Sequence, residues 1–89
     1  MAIDPAKLGA YSGRYPLTPQ FVLTVMPRNG QLMVQATGQD EYEAFPESDK
    51  RFFFRVVNAQ ITFELASDGT ASALVLHQNG RDRRGVRLP

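Results

Sequence analysis

The chain has 89 residues, with ten Lys or Arg against nine Asp or Glu and a formal charge of +1. Its 43% hydrophobic and 21% charged fractions fit one folded domain over residues 1–89 and exclude a disordered chain. Near-neutrality excludes a strong electrostatic footprint for nucleic acid or anionic membrane, and the lack of cysteine excludes disulfides, thiol chemistry and Cys-based metal sites.

At the N-terminus, Asp4 and Pro5 predict a helical turn or two over residues 5–10, with Asp4 as the cap and Pro5 in the first turn. A first strand follows, in which Gly13 between Tyr11 and Tyr15 marks a bend or a close backbone approach. Turn residues from Tyr15 to Pro19 lead into Phe21-Val22-Leu23-Thr24-Val25, where Phe21, Leu23 and Val25 share a face because strand side chains alternate. After Pro27-Arg28-Asn29-Gly30, the residues Leu32, Val34 and Ala36 repeat the pattern. Gly38-Gln39-Asp40 and Pro46-Glu47-Ser48-Asp49 are further turns, followed by Phe52, Phe54 and Val56 on one face. Asn58-Ala59 separates these from Ile61, Phe63 and Leu65, and Ser67-Asp68-Gly69 precedes Leu74 and Leu76. Asn79-Gly80 is a two-residue type I′ hairpin signal, because both central residues must accept positive φ. Asn29-Gly30 and Asp68-Gly69 act similarly within longer loops.

Links this short pair neighbouring strands antiparallel. The predicted fold is all-β, an antiparallel up-and-down meander of about eight strands with a short N-terminal helical turn. Strand twist curls such a sheet into a barrel or half-barrel. A five-stranded OB barrel of similar length has too few hairpins for this turn spacing. No run of about 18 apolar residues, the length of a membrane-spanning helix, occurs. Residues 1–7 have neither the basic start nor the apolar stretch of a secretory leader.

Catalytic patterns are missing. The serines are Ser12, Ser48, Ser67 and Ser72, the sole histidine is His77, and neither Gly-x-Ser-x-Gly nor Ser-x-x-Lys occurs. Alternation with Leu76 places His77 on the less buried face of its strand, as an ordinary surface or partner-facing imidazole. One histidine without cysteine builds no zinc site. Asp40, Glu41 and Glu43 lack the Gly-anchored spacing of a calcium loop and read as a solvated turn and strand edge. Glu41, Glu43, Glu47 and Glu64 form no recognisable buried pair, and no phosphate-cradling glycine loop is present. The domain itself is therefore read as no enzyme, with no catalytic, cofactor-binding or metal-binding residue.

Three surfaces are candidates for binding. Val22, Met26, Met33, Phe53, Val57 and Val75 fall opposite the main apolar set, and mark either a partner surface or a region covered by loops and the N-terminal turn. Phe21, Leu23, Phe52, Phe54 and Phe63 form the core or line a cup for a small apolar ligand, and six Phe in so short a chain favour filling. Arg81, Arg83, Arg84 and Arg87 crowd the C-terminal strand and offer a weaker case for nucleic acid. The run from Lys50 to Arg55 mixes bases and aromatics as a stacking platform does, but alternation sends Phe52 and Phe54 to one face and Phe53 to the other.

An ordered set of residues carries a resemblance: Tyr11-x-Gly13-x-Tyr15, Phe45-Pro46-Glu47-Ser48 running into Phe52-Phe53, Ala59-Gln60-Ile61-x-Phe63, Asp68-Gly69, Leu74-x-Leu76-His77-Gln78-Asn79-Gly80 and Arg87-Leu88. From about residue 5 to residue 88, this order resembles the DUF3471 family, the lipocalin-like C-terminal accessory domain of β-lactamase/penicillin-binding-type serine hydrolases. The resemblance implies an eight-stranded lipocalin-like barrel or half-barrel. It also implies a non-catalytic module that assists assembly or substrate access, partnered by its own upstream hydrolase domain or by a second copy. The hydrolase elements Ser-x-x-Lys and Tyr-x-Asn have no counterpart, since Tyr11, Tyr15 and Tyr42 are not followed two residues later by Asn. The family contributes no catalytic or ligand residue, and it implies a bacterial periplasmic or secreted setting. Residues 1–5 read as a linker at the start of a fragment of a larger hydrolase.

Overall fold

The structure is a computed structural model that describes residues 3–89; the reading of Met1 and Ala2 as the start of a linker lies outside these residues. Asp4 caps the N-terminal helix as expected, its Oδ1 accepting from the Ala6 amide at 3.0 Å. The Lys7 amide donates to the Asp4 carbonyl at 2.8 Å, the i→i+3 spacing of a 3₁₀ helix. This helix spans Pro5–Tyr11, so Tyr11 belongs to it and not to the first strand. It stops there because the Ser12 amide and Oγ both donate back to the Gly9 carbonyl, at 3.2 and 2.8 Å.

Eight strands follow: β1 (Gly13–Thr18), β2 (Phe21–Arg28), β3 (Gln31–Ala36), β4 (Glu41–Pro46), β5 (Arg51–Phe53), β6 (Ala59–Leu65), β7 (Ala71–Gln78) and β8 (Arg81–Val86). They lie side by side in sequence order, each antiparallel to the next, as the turn spacing predicts. Asn79 and Gly80 have φ of 54° and 72°, the type I′ geometry. Asn29 and Gly30, at 54° and 76°, form the same turn closed by the Arg28–Gln31 pair, where a longer loop was expected. The difference arises at Pro27, which lies inside β2 opposite Leu32. The β1 register ends at Val25, so Pro27 sits past that ladder, where a strand tolerates a missing N–H.

The alternation read through Phe52, Phe54 and Val56 breaks after Phe53. β5 has only three residues, and Val56 in the following loop is 67% exposed. That loop takes no part in the sheet, so a period of two no longer dictates which side chains point inward.

The sheet curls until its ends meet. The Leu88 amide donates to the Arg14 carbonyl at 2.8 Å, which ties the chain beyond β8 to β1. Gly85 lies against β1 so closely that a Cβ there would stand 2.7 Å from the Pro16 carbonyl oxygen. The result is a nearly closed eight-stranded barrel.

One end of the barrel is solid. Tyr11, Tyr15, Phe52 and Phe63 pack ring against ring, with centroids 4.8 to 5.9 Å apart and the Phe52–Phe63 planes at 90°. Such edge-on contacts add to the gain from burial. The 3₁₀ helix plugs this end with Leu8 and Tyr11, both buried. Each buried phenol finds an acceptor: Tyr15 donates to the Tyr11 carbonyl at 2.7 Å, and Tyr11 donates to the Asp49 carbonyl at 2.5 Å. Burial pushes the Tyr15 phenol up to about 12, an effect the nearby Arg87 partly offsets. Burial, with Asp49 adding to it, also raises Tyr11. Among the described residues, no buried side-chain nitrogen or oxygen lacks a partner.

Candidate functional site

The other end of the barrel is open. Phe21 and Leu23 of β2, Val34 and Ala36 of β3, Leu76 of β7, and Phe54 and Val57 of the loop after β5 enclose an apolar cavity of about 100 Å³. Tyr42, Gln39 and Gln78 supply polar atoms to its wall. The rim is braced locally. Thr37, just past β3, donates its amide to the Val22 carbonyl at 3.1 Å while its Oγ1 accepts from the Val22 amide at 3.0 Å. In the loop over residues 54–58, the Phe54 amide donates to the Ala59 carbonyl at 3.2 Å, and the Ala59 amide to that of Val57 at 3.0 Å.

The residues expected to act as core or cup therefore divide. Phe52 and Phe63, at 0% and 1% exposure, belong to the solid end, whereas Phe21, Leu23 and Phe54 line the open one. Val57, grouped by alternation with the outward set, lines the cavity instead, because it lies in the loop where strand alternation has lapsed. The remaining outward residues are half-buried and scattered. Met26 and Met33 are paired across β2 and β3, Phe53 stacks beside Phe45 on β4 and β5, and Val75 lies between Thr62 and Arg84. Val22 faces Pro16 on β1.

A second depression, of about 300 Å³, adjoins the cavity and shares Leu76 and Gln78 with it. Its other walls are Asn79, Arg81 and Arg83. Strand register explains these two arginines. Leu76 pairs with Arg83 and Gln78 with Arg81, so both side chains lie in the row of β8 that faces the barrel interior, together with Gly85. Sequence reasoning counted them only as part of a basic cluster.

The outward row of β8 differs. Arg84 makes a two-pronged contact with Glu64, at 2.7 and 2.9 Å. That contact holds the Glu64 carboxyl below the usual carboxylate range and raises Arg84. Asp82 Oδ1 lies 2.7 Å from His77 Nδ1, and His77 Nε2 lies 2.8 Å from Thr62 Oγ1. In the neutral ring, Nδ1 donates to the carboxylate and Nε2 accepts from the hydroxyl. The Thr62 link of this hydroxyl–imidazole–carboxylate chain was not visible in the sequence, because Thr62 meets His77 only through the β6–β7 register. The three groups have the order of a nucleophilic triad, laid along the outward face of the sheet. The Phe63 amide, next to Thr62, already donates to the Lys50 carbonyl at 2.7 Å.

Several of the other candidate charges are tied up on the surface. Glu41 binds Arg28 at 2.8 Å, Arg51 approaches Glu47 at 3.8 Å, and Arg55 stacks 4.0 Å over the Phe45 ring. Among the described residues, no group of three His, Asp or Glu converges as metal ligands would.

A nearly closed antiparallel barrel, solid at one end and cupped at the other, is the lipocalin-like architecture. The chain belongs to the family described as a domain of unknown function, DUF3471, which matches residues 1–87. It is 34% identical over 86 residues to penicillin-binding protein 4* of Bacillus subtilis (strain 168), a match covering 97% of this chain and 19% of that protein. The chain thus spans about a fifth of that relative's length. No solved structure matches it significantly.

Proposed function

We propose that this chain is a non-catalytic accessory domain of a penicillin-binding-type serine hydrolase, serving the assembly of that enzyme or the access of substrate to it. The observation that carries this reading is the match itself: nearly the whole barrel aligns with a small part of a much longer penicillin-binding protein. A barrel with its own aromatic core is the kind of unit that can be appended to another domain without borrowing a fold from it. In this reading the hydrolase domain supplies the nucleophile, and the barrel acts by contact, through its scattered outward apolar residues or its mouth. The partner is the hydrolase domain or a second copy of the barrel.

Labelling with a fluorescent penicillin tests the proposal on the parent enzyme, on the parent lacking the barrel, and on the barrel alone. The barrel alone is expected to take no label. Its removal is expected to change the parent's acylation rate or its sedimentation. Labelling of the isolated barrel, or a parent indifferent to its loss in both measurements, would overturn the reading.

A second reading is favoured by the open mouth, where the barrel binds a small apolar ligand. Its cavity of about 100 Å³ is smaller than a drug-sized pocket, so the ligand would be short.

A further inference from the structure

We infer that the mouth is built for a short amphipathic anion, whose apolar tail enters the cavity while its carboxylate meets Arg81 and Arg83. This inference rests on the apolar-ligand reading and adds the charge that the ligand must carry.

The two rows of strand β8 differ in how their charges are partnered. On the outward row both charged side chains have partners, Arg84 with Glu64 and Asp82 with His77. On the inward row, Arg81 and Arg83 form no ion pair and no side-chain hydrogen bond among the described residues. Both belong to the inward-facing row yet are exposed, which puts their charges at the rim of the mouth, beyond the apolar side chains that fill the interior of a small barrel. Here the inward row continues into an apolar wall, since Arg83 stands opposite Leu76 and Arg81 opposite Gln78, and both of these also line the cavity.

The geometry therefore joins an apolar recess to a basic ledge. The recess, about 100 Å³, is smaller than the roughly 150 Å³ apolar cavities that hold a benzene ring. It suits a short aliphatic tail. The ledge offers two guanidinium groups, which bind a carboxylate through paired charge-assisted hydrogen bonds. A neutral apolar molecule would use the recess and leave the arginines idle. A cationic one would be repelled by them.

Titration of the ¹⁵N-labelled chain with hexanoate, hexan-1-ol and hexylamine at low salt tests this by NMR. Hexanoate is expected to shift the amides of Phe21, Phe54, Gln78 and Arg83, and to bind at least about tenfold more tightly than hexan-1-ol. Hexylamine should bind more weakly than either. Both arginines are exposed, so the R81M/R83M double variant is expected to keep the folded spectrum and to bring hexanoate to within about twofold of the alcohol. The outward variant Arg84→Gln should leave the preference intact.

Equal binding of hexanoate and hexan-1-ol at the mouth would overturn the charge assignment and leave the apolar-ligand reading standing. Binding of neither would overturn both. Hexanoate shifts confined to Arg14 and Arg87, at the far end of the barrel, would also overturn the inference.

Discussion

The two ends of this barrel are made from the same kind of strand yet finished in opposite ways. At the solid end, Tyr11, Tyr15, Phe52 and Phe63 meet in one cluster, and a 3₁₀ helix closes over it. At the mouth, Phe21 and Phe54 both line a cavity that no helix among the described residues fills. The difference is not one of aromatic content. It lies in whether a plug exists, and the plug is available only where Asp4 and Pro5 start a helix and Ser12 stops it. Aromatic packing is concentrated at the plugged end, and the other end keeps a cavity.

Truncation should expose this asymmetry most strongly. Phe63→Ala removes a ring with 1% exposure from the centre of the cluster and is expected to cost about 3–5 kcal/mol. In so small a domain that approaches the whole stability. Phe54→Ala at the mouth should cost well under half as much, because its ring borders a gap. Urea denaturation of both variants measures the contrast, and equal losses would erase the distinction between the ends.

The seam joining the barrel is next in effect. Gly85→Ala places a Cβ 2.7 Å from the Pro16 carbonyl, a backbone atom that cannot turn aside, so β8 must move away from β1. A loss of about 1–3 kcal/mol is expected, with faster amide exchange at Leu88, whose hydrogen bond closes the seam.

Alkaline pH tests the plug without mutation. Well below pH 10 the Tyr15 phenol is protonated whether the chain is folded or unfolded, and its contribution is complete. Between pH 10 and about 12 the unfolded chain releases a proton that folded Tyr15 retains, so stability falls as pH rises through this window. Urea midpoints across that range should fall less steeply in Tyr15→Phe. An identical slope would show that the phenol is not held in an apolar site.

The outer surface should respond least. Glu64→Gln breaks the contact with Arg84, both side chains being largely in solvent, and is expected to move the urea midpoint only slightly. Whatever change occurs should shrink as salt is added.

Much of the solid end was legible in the sequence. Alternation placed Phe52, Ile61, Phe63 and Leu74 inward, and all are at 0% or 1% exposure. The type I′ signal at Asn79-Gly80 was equally direct, since few residues accept its backbone angles. Tyr11 was harder to place, because a helix end and a strand start compete for the same residues, and the deciding hydrogen bonds come from Ser12. Val56 and Val57 were misread where β5 ends early, since a period of two says nothing once the ladder stops.

The mouth was largely illegible. On β8, charges occupy both rows of Arg81-Asp82-Arg83-Arg84, so polarity offers no clue to which row is inside. Only pairing with β7 decides it, through Leu76 opposite Arg83. In the Thr62–His77–Asp82 chain, the two-residue Asn79-Gly80 turn sets His77 opposite Asp82, whereas the link to Thr62 depends on the β6–β7 register, which no such turn specifies.

The seam between β1 and β8 has a consequence for life in a crowded assembly. An open sheet of this length would present two unpaired strand edges, and such edges recruit strands from neighbouring chains. Here the edges are turned on each other, one carrying Pro16, which has no amide to offer, and the other bristling with arginines. Edges that face each other in this way, joined by the Leu88–Arg14 hydrogen bond and not by a ladder, leave a neighbouring chain little room to add a strand. Any association would then rest on side chains and not on shared strands.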